Sequence, residues 1–183
     1  MSDPTQPASV YDLAHAGQEE SRATFAVLVD NEPGVLHRVV GLFAARGYNI
    51  DSLTVAETDG ASHTSRITIV TRGTLQVLSQ IEAQLQKMVS TRHVQDVTKD
   101  PNGLERELAL IKVSGKGEKR IEALRLAEIF GAKVIDASIE HFVFEQTGPS
   151  IEIERFIAIM TELGLVEVSR TGIAAMGRGK QGM

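Results

Sequence analysis

Residues 30 to 36 read "DNEPGVL", a short polar elbow that leads straight into an apolar helical pattern. These residue types suit recognition of a small charged molecule. A strand ending at Asp30 and a helix beginning near Gly34 leave several backbone N–H groups unpaired at the mouth of the loop. Such donors, together with the helix dipole, attract carboxylates and phosphates. Gly34 has no Cβ and lets a ligand approach the backbone, while Pro33 holds the turn without donating. Asn31 offers an amide donor and a carbonyl acceptor, so it can grip either the ammonium or the carboxylate of a zwitterion. Val35 and Leu36 can line an apolar slot, which makes an amino acid with a branched aliphatic side chain a fitting ligand. The competing reading is that Asn31 caps the helix and Gly34 only turns the chain.

Other chemistry-bearing stretches are weaker. "SGKGEKR", residues 114–120, follows a strand pattern and opens a helix pattern, which raises the question of phosphate. It lacks both the G-x-x-x-x-G-K-[ST] loop and the third glycine of G-x-G-x-x-G, so a glycine-rich elbow with solvated Lys116, Lys119 and Arg120 is the better reading. His15, His37, His63, His93 and His141 form no i, i+4 pair and no set with metal-ligand spacing, and read as surface or interface residues. There is no cysteine, which removes thiolate catalysis, thiolate metal sites and disulfides, and no G-x-S-x-G elbow. Glu152 and Glu154 open a helix pattern, where acids complement the dipole. The chain does not read as an enzyme by itself.

Composition bounds the rest. Of 183 residues, 42% are hydrophobic but only 4% aromatic, with no Trp, so cores must be built from Val, Ile and Leu and stacking platforms for bases are scarce. The formal net charge of -5, without a basic stripe, argues against nucleic acid as a partner. No apolar run approaches the roughly 18–20 residues of a membrane span. The opening 20 residues have no Lys or Arg and no apolar middle, unlike a signal or transit peptide. A cytoplasmic setting is the expectation.

The elements that must position the elbow follow from periodicity. Residues 1–20 are aperiodic and polar and read as a tail, with a transient helical turn around Val10 to Ala16. "RATFAVLVD" reads as a strand. Val35, Leu36, Val39, Val40 and Phe43 then follow helical spacing up to Gly47, with Gly41 inside the pattern marking a close approach or mere tolerance. "NIDSLTV" and "SRITIVTR" form a hairpin pattern, "TLQVLSQIEAQLQKMV" a helix with Leu75, Leu78, Ile81, Leu85 and Met88 on one face, and "HVQDVTK" a closing strand.

After a linker at "DPNGLE" the same order returns, ending in a strand "LVEVSRTGI" and a frayed "GRGKQGM". "LFAARGYNID" is echoed by "EIFGAKVIDA" about 85 residues on. The expected fold is α+β, two ferredoxin-like βαββαβ domains spanning 21–99 and 105–179, each an antiparallel sheet with helices on one face. An unrelated α/β cap after a single copy is the alternative. The open sheet edge and modest core of the first half favour a homodimer.

The stretch "DNEPGVLHRVVGLFAARGYNIDSLTVAETD" resembles the regulatory small subunits of acetolactate synthase, or acetohydroxyacid synthase, whose N-terminal half is an ACT domain. "SRITIVTRG", "QIEAQLQKMV", "EIFGAKVIDAS" and "VEVSRTGIAAMGRG" continue the likeness over about residues 22–179. The resemblance implies a non-catalytic partner that activates a catalytic large subunit and confers feedback by branched-chain amino acids, chiefly valine. It implies no cofactor in this chain, with thiamine diphosphate, Mg and FAD in the catalytic subunit that turns pyruvate into 2-acetolactate. The effector site of the family lies between two ACT domains. Carried over, Asn31 and the backbone of Gly34, Val35 and Leu36 hold the effector from one chain, and Asn49 and Ile50 reach it from the other. Three positions depart from the family pattern: the long tail, His37 where a small residue is common, and Asp51 where Glu is frequent. A stand-alone amino-acid sensor is the rival function.

Overall fold

The computed structural model describes residues 20–59, 63–180 and 182–183. The helical turn expected around Val10 to Ala16 and the middle of the first hairpin loop lie outside the described residues. Strand β1 (Ser21–Asp30) runs into helix α1 (Val35–Ala45), then β2 (Ser52–Asp59), β3 (Thr64–Gly73), α2 (Leu75–Gln86) and β4 (Thr91–Asp96). The sheet order is β2-β3-β1-β4, with every pairing antiparallel.

Alternation along β1 decides which face is covered. Phe25, Val27 and Val29 have no exposed surface and meet Val35, Val39 and Phe43 of α1 and Leu78, Ile81 and Leu85 of α2. The i, i+4 spacing of the α1 residues and the i, i+3/i+4 spacing of the α2 residues place each set on one stripe. Leu75, expected on the α2 stripe, is instead 71% exposed in the first turn. Thr74 caps that turn by accepting from the Val77 amide at 3.3 Å. The expected last strand stops at Asp96, whose carboxylate accepts from the Thr98 amide at 3.0 Å and starts a 3-10 turn over Val97–Lys99.

A tight linker follows, where a Cβ at Gly103 would lie 2.5 Å from the Val97 carbonyl oxygen. The second unit comprises β5 (Leu104–Val113), α3 (Glu118–Ile129), β6 (Lys133–Ala137), β7 (Phe142–Gly148), α4 (Ser150–Leu163) and β8 (Leu165–Arg170). Its order, β6-β7-β5-β8, repeats the first sheet strand for strand. Ile111, Phe144, Ile153, Phe156 and Met160 form its core, with the Phe144 and Phe156 rings edge-to-face at 6.0 Å. The fold is therefore α+β, with two antiparallel sheets each backed by helices.

The expected final strand divides. After β8 the chain turns at Gly172, and β9 (Ala174–Met176) pairs antiparallel with the first three residues of β5. Ile173 and Ala175 bury themselves against Ala26, Val70 and Val97, on the face of the first sheet that the helices leave open. The Ile173 amide donates to Ser52 Oγ at 3.1 Å, and Thr54 Oγ1 donates to the Ile173 carbonyl at 3.0 Å. Arg22 adds an ion pair to Glu105 at 2.8 Å. The C-terminal end is not frayed throughout, because Met183 packs on this same cluster.

Candidate effector site

The elbow between β1 and α1 is built by backbone hydrogen bonds. The Glu32 amide returns to the Asp30 carbonyl at 2.9 Å, and the Asn31 amide donates to the His63 carbonyl at 2.8 Å, tying the loop to the β2–β3 hairpin. Gly34 takes φ 84° at the helix N-cap, and no side chain caps the helix. That left-handed conformation favours glycine. Asn31 is thus no cap: its exposed side chain has no hydrogen bond among the described residues, so both its donor and its acceptor are available. The space where a Gly34 Cβ would stand has nothing within 4 Å.

The apolar slot differs from the expectation. Val35 is 6% exposed, its side chain belongs to the core, and its amide turns back to the Glu32 carbonyl at 3.2 Å. The amides of Gly34, Leu36 and His37 have no acceptor among the described residues, leaving an anion-attracting cluster with Leu36 beside it, 39% exposed.

Asn49 and Ile50 lie past the other end of α1. Eleven residues at 1.5 Å rise put about 16 Å between the two ends of the helix. An amino acid cannot touch both in one chain. Ile50 packs half-buried on the first core, and the exposed Asn49 side chain donates to Asp51 Oδ1 at 2.8 Å. Asp51 is itself held by Arg72 at 2.9 Å, and the Asn49 carbonyl accepts from Thr71 Oγ1 at 2.5 Å. Asn49 Oδ1 is left as the outward acceptor. The Asn-x-Asp spacing was the sequence signal for this support, which reasoning from the elbow alone overlooked.

Asp51 and Arg72 also line one wall of a cleft of about 390 Å³ between the two units. Its other wall carries Glu107 and Arg170. The Glu107 carboxylate, 3% exposed, accepts from Arg170 Nη2 at 2.9 Å and from Ser150 Oγ at 2.7 Å, with a further bond from Arg170 Nε. Burial alone would push this carboxyl up, but the bonds from Arg170 and Ser150 hold it below the ordinary glutamate value.

The glycine-rich "SGKGEKR" elbow engages two of its cations with nearby carbonyls. Lys119 Nζ donates to the Glu162 carbonyl at 3.1 Å, Arg120 Nη2 donates to the Ser138 carbonyl at 2.6 Å, and the Arg120 guanidinium stacks on the Phe142 ring at 3.8 Å. Of the three residues expected to be solvated, Lys116 and Lys119 are exposed, while Arg120 is half-buried against Phe142. His141, read as a surface or interface residue, is partly exposed and bridges Asp136 Oδ2 and Ser138 Oγ, both at 2.8 Å. Ser138 Oγ accepts the Glu140 and His141 amides at 3.1 Å each, which assigns this trio to closing the β6–β7 turn. Among the described residues no group of three His, Asp or Glu side chains could hold a metal, and no helix is long and apolar enough to cross a membrane.

Residues 25–93 match the family described as AHAS small subunit-like ACT domain, and residues 106–179 match the small subunit of acetolactate synthase. A probable acetolactate synthase small subunit of Archaeoglobus fulgidus is 45% identical over 158 residues, covering 86% of this chain and 98% of that one. The acetolactate synthase isozyme 3 small subunit of Escherichia coli is 41% identical, covering 86% and 96%. The crystal structure of the acetolactate synthase small subunit from Thermotoga maritima superimposes with a TM-score of 0.78 at 40% identity, covering 88% and 99%. With both units matched in order and relatives spanned almost end to end, the chain belongs to the acetolactate synthase small subunit family.

Proposed function

We propose that this chain is the non-catalytic regulatory subunit of an acetolactate synthase, activating a catalytic large subunit and making it sensitive to valine. The observation that carries this reading is the split site. Amides and Asn31 at one end of α1 suit a carboxylate, Asn49 at the other end suits an ammonium, and only a second copy can bring the two ends together. Along α1, Leu36 and Val40 stand 39% and 38% exposed one turn apart, and nothing lies within 4 Å of a Cβ on Gly41. This small apolar stripe supports pairing of α1 with its copy, which is one of the two readings of Gly41, the other being mere tolerance.

Valine then bridges two ACT domains, residues 21–99 of each chain, and favours one arrangement of the pair over another. Allostery requires that difference in affinity, about 5.5 kcal/mol to reverse a 1:99 population and less for partial inhibition. The cleft joining Asp51 and Arg72 to Arg170 and Glu107 supplies a route from the effector to residues 105–179. Thiamine diphosphate, Mg and FAD belong to the catalytic subunit on this reading.

Calorimetric titration of the chain with L-valine, D-valine, leucine and isoleucine tests the binding, and assay of the catalytic subunit with and without the chain tests the activation. Saturable L-valine binding at one or two sites per dimer, with activation that valine reverses, is expected. Valine binding without any effect on the catalytic subunit would favour a stand-alone sensor instead.

A further inference from the structure

Arg66 lies on β3 on the face away from the helices, and its Nε and Nη2 are fully buried with no hydrogen-bond partner. It forms no ion pair among the described residues. Arg66 as a whole is half-buried, but a guanidinium stays charged, and withdrawing two of its nitrogens from water without an anion is unfavourable. Burial accordingly lowers its pKa from the ordinary value. The group borders a recess of about 270 Å³ whose floor is β2 and β3 and whose roof is β9 with the start of β5. Arg106 lines the same recess, and among the described residues its guanidinium makes one hydrogen bond, from Nη1 to the Glu105 carbonyl at 3.2 Å. Among the described residues no acidic side chain lines it.

We propose that this recess binds a small aliphatic carboxylate, held by Arg66 and Thr68. Thr68 stands two residues along the same strand face, 3% exposed, with a hydroxyl that meets no partner among the described residues. The neighbouring hydroxyls of Thr54 and Thr58 are engaged, by the Ile173 carbonyl and by Thr64. Arg66 and Thr68, two residues apart on one strand face, both line the recess and supply its donors from β3. Ala56, Leu104, Ala175 and Met176 supply apolar walls, which suit a hydrocarbon tail. On its other side Arg66 borders a larger recess carrying Glu82, Asp96 and Asp100. Those carboxylates are already taken, the first two by Lys99 at 2.8 and 3.2 Å and the third by the Asn102 amide at 2.8 Å. Because floor and roof come from different units, an occupant clamps the two together. The site is separate from the elbow and stands without the effector proposal.

Isovalerate, which lacks the ammonium that the elbow reads, is the probe for calorimetry on the full chain. It should saturate one site per chain, with isovaleramide weaker by about tenfold or more and inorganic phosphate not competing. R66Q should lose about tenfold or more in affinity without a lower Tm, and G34D should leave isovalerate binding unchanged. A56L, which fills the recess and keeps the arginine, should also block binding, and decides the matter if R66Q does not fold. Absence of saturable binding to the wild type, equal affinity for the amide, competition by phosphate, or normal binding by the variants overturns the proposal. So does an R66Q chain that keeps isovalerate but releases its catalytic subunit, because the carboxylate would then be a protein side chain.

Discussion

The Asn49 side-chain amide donates to Asp51 Oδ1 at 2.8 Å while Asp51 pairs with Arg72 at 2.9 Å, so one carboxylate sets the orientation of the residue proposed to meet the effector. Arg72 is 64% exposed, and such a pair contributes little to stability, at most about 1 kcal/mol. Its value is positional. D51A should weaken valine binding by about tenfold and move Tm by only about 2 °C. A large drop in Tm with unchanged valine affinity would make the pair structural instead.

G34D places a carboxylate among the free amides of the elbow. Valine affinity should fall by about a hundredfold, since a like charge then occupies the anion position. The variant should still fold and still activate the catalytic subunit. At φ 84° a side chain is strained, so G34N, which Asn tolerates about as well, serves as the uncharged control. If both variants bind valine as the wild type does, the elbow is not the site.

V40E puts a charge in the exposed stripe of α1 without touching the core residues Val35, Val39 and Phe43. The expected outcome is a folded monomer by sedimentation that has lost valine binding. A dimer that survives places the interface elsewhere.

E107Q removes the buried charge that answers Arg170 and should lower stability by about 2 kcal/mol near neutral pH, measured by urea titration. The pH dependence follows from the sign of the shift. The folded-state pKa of Glu107 is depressed, so its contribution is fully present above the ordinary glutamate value of about 4.3 and fades as pH falls through the depressed one. Wild type and E107Q should therefore converge in stability as acid is added. A gap that stays constant down to acid pH would remove Glu107 as its source.

G172A tests the contact between the units. A Cβ there would stand 2.6 Å from Ser52 Oγ, at φ 80°. Loss of about 2 kcal/mol and faster proteolysis after β8 are expected, with both helical faces intact. Equal protease resistance would show that the Ser52–Ile173 contact is dispensable.

Periodicity made most of the fold legible. Phe25, Val27 and Val29 alternate, Val35, Val39 and Phe43 recur every four residues, and Glu152 and Glu154 stand near the start of α4 as their helix pattern requires. β9 was not legible, because "AAM" is too short for a pattern and its pairing depends on β5 outrunning the second sheet. Of the elbow, the turn at Gly34 could be read from residue type, but the burial of Val35 and the freedom of Asn31 could not. Both depend on how α1 is rotated against the sheet.

The sequence by itself determined the order of elements within the two βαββαβ units, the internal repeat and the family, because local propensity and apolar spacing act within a few residues of each position. Only the tertiary structure decided which charges are satisfied. Arg120 rests on Phe142, His141 meets Asp136, Arg170 clasps Glu107, and Arg66 meets no one among the described residues. These outcomes rest on groups brought together across strands, turns and the junction of the two units. Desolvation and hydrogen bonding are set by that packed geometry, which no local stretch encodes alone.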